Sequence, residues 1–381
     1  MSPTAPIQSD LLVTCEGGLR VIELDLHRDR RWERFVNSHP NAMIYHHPAW
    51  FQALEREYGQ KCVSLACVNA AGDIRAILPL FYTRGLPLFH GGLQAGRRLS
   101  SLPRTPLAGP LALEPRSADL VLQEAKRLVE GNPDLRLELK VHEALPEDGP
   151  AWLTKVLWRD SYLLRLPGAP DLIRFGSGTH HRRLKWAVNK AIKSGLTCRE
   201  AQNVDDLQGW YQLYLQRMRQ NVVPARSYRF FAALWELMRP KGLMRLLVVD
   251  RTESGRRVLV AGSVFFTFRD TVSYAFNGSR AQDMWLCPND LLHWQHIHQC
   301  CREGFRWYDF GEVPEDHPEL ALFKSKWGAE PTRLHRYYYP PPPPHKDAGT
   351  HRPLRNLANL VWRHLPLGAT AYLSDHAYSY L

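Results

Sequence analysis

The 381-residue chain has only seven cysteines, an odd number, and no two of them stand as C-x-x-C. A disulfide framework and a structural zinc site are therefore both unexpected. Long apolar runs are missing too, and no stretch approaches the roughly 20 residues needed to cross a bilayer. The opening MSPTAPIQSDLLVTCEGG has no basic start followed by an apolar run, so it does not read as a signal peptide. The expected setting is the reducing cytoplasm, with the basic tail able to touch the inner face of a membrane. The chain lacks a GxGxxG opening and a GxxxxGK[ST] loop, which argues against dinucleotide and P-loop chemistry. It also lacks a G-x-S-x-G elbow and an H-E-x-x-H pair. Of His293, His296 and His298 only the first two share a helix face, so they read as ordinary helix histidines and no metal is expected.

Apolar residues make up 44% and aromatics 11%, enough for real cores. The 49 Lys+Arg exceed the 38 Asp+Glu by 11, a balance that attracts anions. Nucleic acid, an anionic membrane surface, a phosphorylated metabolite or an acyl-CoA would all fit.

Hydrophobic periodicity predicts a mixed α/β (α+β) fold. A strand and helix open the chain, followed by a helix entered at Pro48 and ended at Gly59. Two strands surround the turn Ala70-Ala71-Gly72-Asp73. The segment from Gly85 to Pro110 is rich in Gly, Pro and Ser and is expected to wander across a surface. A helix near Ser117–Glu130 and the strands LRLELK and DSYLLRL complete a first unit, 1–170. A second unit, 171–340, begins with the basic helix GTHHRRLKWAVNKAIKSGL and two further helices. It continues through three strands, the helix CPNDLLHWQHIHQCCREGF, and the strands FRWYDFGEV and RLHRYYYP. A polyproline spacer at 341–350 and an amphipathic tail at 351–381 follow.

The basic helix has no acid between His180 and Gly195. Leu184, Ala187, Val188 and Ala191 supply its buried stripe, leaving Arg182, Arg183, Lys185, Lys190 and Lys193 either as a solvated face or as an anion-binding surface. No nucleophile with a partnering base is evident. What stays open is a transferase in which an amine attacks a bound thioester or ester directly.

The order of these motifs resembles the GNAT superfamily, specifically the FemAB-like proteins. That group takes in peptidoglycan-bridge aminoacyltransferases and acetyltransferase-like proteins of exopolysaccharide loci. HHRRLKWAVNKAIKSGL looks like their basic helix, and VLVAGSVFFTFRDTVSYAFNGS like their central hairpin. PNDLLHWQHIHQCCREGFRWYDFGEV resembles the helix and strand ending in Tyr-Asp-Phe-Gly, and LALFKSKWGAEP the closing lysine–glycine motif. HHPAWFQALEREYG and GDIRAILPLF look like the opening helix and hairpin, so the resemblance spans roughly 20–345.

The resemblance implies tandem GNAT-like domains around a cleft. It implies an N-acyltransferase or aminoacyltransferase that uses acyl-CoA or aminoacyl-tRNA as co-substrate. The acceptor would be an amine of a cell-envelope or exopolysaccharide precursor, anionic and small or lipid-linked. Lys324 falls on the closing-motif lysine near the reacting carbonyl, although Lys326 leaves its register open. Asp309 is a second catalytic candidate, as proton acceptor, or else a structural hydrogen-bond acceptor. Arg183, Lys190, Lys193, Tyr274 and Asn277 are expected to contact substrate. Tyr274 and Asn277 face opposite ways unless a bulge intervenes. Ordinary GNAT enzymes carry a Q/R-x-x-G-x-G/A loop for the CoA pyrophosphate. Here GSRAQDMWLCPNDLL stands instead, leaving the helix start at Asn289 as the phosphate site, with Asp290 competing for it. The acidic loop with Glu312, Glu315, Asp316 and Glu319 disfavours nucleic acid at that rim and would attract an amine. The rival reading is a non-catalytic RNA- or phosphoglycan-binding module on a degenerate GNAT scaffold.

Overall fold

The computed structural model describes residues 15–85, 96–146, 149–342 and 359–378. The first half runs β1 (Cys15–Glu16), β2 (Leu19–Glu23), α1 (Arg31–Ser38), α2 (Pro48–Tyr58), β3 (Val63–Val68), β4 (Ile74–Thr83), β5 (Arg97–Ser100), β6 (Leu111–Ala112), α3 (Pro115–Glu130), β7 (Leu135–Val141) and β8 (Thr154–Arg165). The second runs α4 (Gly178–Lys193), β9 (Leu196–Glu200), α5 (Val204–Gln220), α6 (Tyr228–Leu237), β10 (Met244–Glu253), β11 (Arg256–Phe268), β12 (Thr271–Ser279), α7 (Pro288–Arg302), β13 (Trp307–Val313), α8 (Pro318–Ser325) and β14 (Glu330–Tyr339). A last helix, α9, covers Leu367–Tyr378.

Local chemistry explains the boundaries. Ser177, Asn203 and Ser227 cap α4, α5 and α6 by accepting from the backbone N–H three residues on. Pro48 opens α2, and Gly59 closes it in the left-handed region at φ 69°.

One order occurs twice: strand, two helices, three strands, helix, strand. Apart from the two-residue β6, which pairs with β4 off the main sheet order, the run β2-α1-α2-β3-β4-β5-α3-β7 is matched by β9-α5-α6-β10-β11-β12-α7-β13. In both runs the third of the three strands pairs in parallel with the final strand, β5 with β7 and β12 with β13. The two halves join in one sheet ordered β1-β2-β3-β4-β5-β7-β14-β8-β13-β12-β11-β10-β9. The expected boundary at 170 therefore does not divide the sheet. β8 follows β7 in sequence but pairs with β13 and β14, while β14 follows β13 but pairs with β7 and β8. Each half gives its last strand to the seam.

The core crosses the same seam. Trp50 of α2, 1% exposed, packs edge-on against Phe230 of α6 at 5.5 Å and Phe266 of β11 at 5.2 Å. Burying an indole on this scale contributes about 4–6 kcal/mol.

Two expectations need correction or limits. The segment from Gly85 to Pro110 does not wander over a surface where it is described. β5 fills the sheet between β4 and β7, and Leu99, Leu102 and Ala108 are fully buried. The cause is the sheet itself, since β4 and β7 would otherwise present unpaired edges. Residues 86–95 lie outside the described residues, as do 343–350 of the proline spacer and 351–358 and 379–381 of the tail. The described tail packs back on the body. Ser374 Oγ accepts from Ala225 N at 3.0 Å, and Arg219 donates to Leu365 O at 2.7 Å. Among the described residues no helix is long and apolar enough to cross a membrane.

Candidate active site

β12 and β13 pair only over Thr271–Ser273 and Trp307–Asp309, and then part. Beyond that point β12 is bonded only to β11, and β13 only to β8. Irregularities on both banks accompany the split. Gly311, at φ 76°, interrupts the β13 register between Asp309 and Glu312. Across the gap, the β11–β12 register shifts so that Ala275 is an extra residue. The parted strands line a cavity of about 460 Å³, with Tyr274–Asn277 on one bank and Asp309–Glu312 on the other. Tyr45, Trp50 and Arg104 close it from the first half, with Arg226 from the entry to α6 beside them. The facing edges of β12 and β13 are unpaired with each other there, a backbone surface suited to an extended amide-bearing chain.

Lys324 stands at the wedge. It is 3% exposed, and its Nζ donates to the carbonyls of Gly311 at 2.8 Å and Glu312 at 2.9 Å. The lysine thus satisfies acceptors that the split deprives of a strand partner. Burial lowers its pKa to about 8, against the raising effect of Asp309 and Glu312. Two of its three N–H donors are used and one is left.

Strand alternation places Asp309 as expected. Tyr308 and Phe310 enter the core of the second half, and Asp309 faces the cavity. Its Oδ1 accepts from Ser161 Oγ at 2.9 Å and from Gly311 N at 2.8 Å. Both bonds fall on one oxygen, leaving Oδ2 without a hydrogen bond among the described residues. Ser161, Asp309 and Leu107 also line a second cavity of about 640 Å³, so the two basins meet at this carboxylate.

The bulge at Ala275 decides the question about Tyr274 and Asn277: both lie on the α7 side of β12. Tyr274 packs on His293 of α7 at 4.7 Å, and burial raises its phenol to about 12. Asn277 donates to Ser263 Oγ at 3.0 Å and to Asn289 Oδ1 at 3.2 Å. Asn289 is thereby tied to the cavity wall at the start of α7, whose N-cap, Cys287, makes no side-chain cap bond. Asp290 does not stand there as a bare negative charge, because Lys326 holds it at 2.5 Å. This also separates the two lysines of the closing motif: Lys324 enters the cavity and Lys326 guards α7.

The basic residues are not gathered at Asp309. Arg183 and Lys193 are exposed on α4, outside both cavities. Lys190 is half-buried, with its ammonium over the rings of Trp186 and Trp285. His293 and His296 are buried against Tyr308 and form no metal cluster, and none is found among the described residues. Sequence reasoning missed Ser161, Glu57 and Arg226. Ser161 comes from the exchanged strand β8. Glu57 and Arg226, both buried, form an ion pair at 2.5 Å between α2 and the entry to α6. No local spacing relates residues so far apart in sequence.

The split between two parallel strands, backed by a helix, defines a GNAT-superfamily fold. The acetyltransferase (GNAT) domain model matches residues 179–318, and the chain carries that domain there. FemX superposes with a TM-score of 0.63 at 13% identity, over 89% of this chain and 99% of that one. N-myristoyltransferase of Saccharomyces cerevisiae, solved with bound myristoyl-CoA, gives 0.51 at 12% identity over 89% and 86%. A conserved protein of unknown function from Bacteroides thetaiotaomicron VPI-5482 gives 0.52 at 10% identity over 84% and 98%. These are likenesses of fold. No curated protein sequence matches the chain.

Proposed function

We propose that this protein is a tandem GNAT-like N-acyltransferase that moves an acyl group from a coenzyme A thioester to a primary amine. The acceptor class, an amine on a cell-envelope or exopolysaccharide precursor, follows from the FemAB-like order of motifs. The observation that carries the reading is the split sheet with Asp309 Oδ2 and Lys324 at its base. The amide-bearing arm of the donor bonds to the open edges of β12 and β13, and its phosphates lie at the start of α7 near Asn289. The N-myristoyltransferase of the same fold was solved with a CoA thioester bound, which favours this donor.

In the reaction the amine nitrogen attacks the thioester carbonyl carbon, the C–N bond forms and the C–S bond breaks. Asp309 Oδ2 accepts the proton lost by the nitrogen, and that proton passes on through solvent to the leaving thiolate, which departs as a thiol and returns Asp309 to its carboxylate. The remaining N–H of Lys324 faces the oxyanion that develops on the carbonyl. No covalent enzyme intermediate is needed.

Thermal shift with acetyl-CoA, longer acyl-CoAs, charged tRNA and a UDP-linked precursor tests the donor, since a ligand of the folded state raises Tm by mass action. Thiol release then measures turnover with a panel of amines. Asp309→Asn keeps an oxygen for Ser161 and Gly311 but cannot take the proton, so kcat falls roughly 100-fold with donor KM little changed. Stabilisation by charged tRNA and by no acyl-CoA would move the donor to aminoacyl-tRNA. Anion binding without turnover of any donor would support the non-catalytic reading.

A further inference from the structure

α4 carries a feature that the reaction centre does not use. Arg183, Trp186, Lys190 and Lys193 recur at intervals of three, four and three residues, which aligns them along one ridge of the helix. Among the described residues no carboxylate lies within ion-pair distance of Arg183, Lys190 or Lys193. Cations elsewhere on the surface commonly have such partners, as Lys241 has Glu33 and Arg333 has Asp160.

Two indoles flank the middle of this ridge. Trp186 is 64% exposed and Trp285 62% exposed, and the Lys190 ammonium lies 5.4 Å from one ring centroid and 5.1 Å from the other. Leaving two large rings in water has a cost that a stacking ligand would remove. Trp285 belongs to the 3₁₀ turn Ala281–Leu286, where a glycine-rich phosphate loop is lacking. Asp283 holds that turn in place through ion pairs with Arg280 at 2.9 Å and Arg251 at 3.3 Å. The cluster also adjoins the start of α7. Cys287, the α7 N-cap, reaches Trp285 O with its Sγ at 3.7 Å, and Lys326 pairs with Asp290 in the first turn, so the indole bearing Lys190 and a second ammonium flank the α7 start.

We infer that Trp186, Lys190 and Trp285 form a subsite for the adenosine 3′-phosphate end of the donor, with the adenine stacked on an indole and the phosphate held by Lys190. This rests on the CoA reading of the donor site. The chemistry is complementary in each part: a flat heterocycle meets exposed rings, and a dianion meets an acid-free cationic ridge. Continuity with the α7 start lets one extended molecule reach from this cluster into the split sheet. In the absence of a glycine-rich loop, much of the donor's affinity comes from its nucleotide end.

The test uses the full chain and adenosine 3′,5′-bisphosphate alone, followed by tryptophan fluorescence and calorimetry. The bisphosphate is expected to quench the fluorescence and bind, and CoA to bind about tenfold more tightly than dephospho-CoA. Trp285→Ala and Trp186→Ala, both at exposed positions that do not threaten folding, should each weaken bisphosphate binding roughly tenfold. Lys190→Ala should abolish the preference for CoA over dephospho-CoA, and Lys190→Arg should keep it. Equal affinity for CoA and dephospho-CoA, or unchanged bisphosphate binding in both tryptophan variants, overturns the proposal. So does a fluorescence change with phosphatidylglycerol-containing vesicles but none with the bisphosphate, which would make the ridge a membrane-contacting face. Tryptophan-dependent bisphosphate binding without acyl transfer would refute the proposed reaction and leave this subsite standing. Acyl-CoA turnover with KM insensitive to all three positions would do the reverse.

Discussion

Replacing Lys324 with methionine separates its structural role from the catalytic one proposed for it. The variant loses two charge-assisted hydrogen bonds, to Gly311 O and Glu312 O, together worth about 3–6 kcal/mol. It also removes a buried ammonium whose pKa is lowered from 10.5 to about 8. At 1.36 kcal/mol per unit, that shift corresponds to about 3.4 kcal/mol spent keeping the folded-state amine charged at neutral pH. The two contributions nearly offset, and the freed carbonyls border a cavity that water can enter. The net loss is therefore about 0–3 kcal/mol, a fall in Tm of a few degrees at about 2 °C per kcal/mol. Catalysis has no such compensation. Loss of a donor to the oxyanion lowers kcat by about 100- to 1000-fold. Calorimetry and thiol release from acetyl-CoA on the same preparations check both numbers. Unchanged kcat and KM would remove Lys324 from the reaction, and a Tm fall well beyond 10 °C would make it a keystone of the split sheet.

Two further predictions concern the seam and acid stability. Glu57→Gln breaks a buried ion pair and leaves Arg226 charged against Arg104 O and Phe230, so unfolding free energy should fall by about 3–5 kcal/mol, read as a lower urea midpoint with unchanged m. A loss below 1 kcal/mol would show that the pair does not hold α2 to the second half. Burial lowers the pKa of His46 from 6.5 to about 4. The unfolded chain binds more protons between those values, so the stability is fully present above pH 6.5 and is lost as pH falls toward 4, by up to about 3 kcal/mol. Tm measured against pH should flatten over that window in His46→Gln, and parallel curves for variant and parent would refute the assignment.

Much of the element order was legible because periodicity and caps are local. The helix at Pro48–Tyr58, the α4 stripe of Leu184, Ala187, Val188 and Ala191, and the strands around Asp309 all follow from neighbours within a few residues. Alternation alone sets Asp309 apart from Tyr308 and Phe310. Spacing could not say that Tyr274 and Asn277 share a face, because one extra residue at Ala275 reverses the parity of a strand. The closing motif favoured Lys324 but left its register against Lys326 open, since two lysines at one helix end differ only in what they pack against. The Gly85–Pro110 composition suggested a loop, yet β5 is demanded by two open strand edges.

What the sequence by itself determined is the identity of the parts: a basic helix free of acid, a mixed succession of helices and strands, and a closing motif bearing lysines. What only the tertiary structure decided is their meeting. β8 and β14 exchange places across the seam, so Ser161 from one half reaches Asp309 in the other. The split of β12 from β13 creates orphan carbonyls for Lys324. Trp186 and Trp285, far apart in sequence, come to flank one ammonium. Hydrogen-bond demand and burial act between distant segments, and they become visible only once the chain has closed on itself.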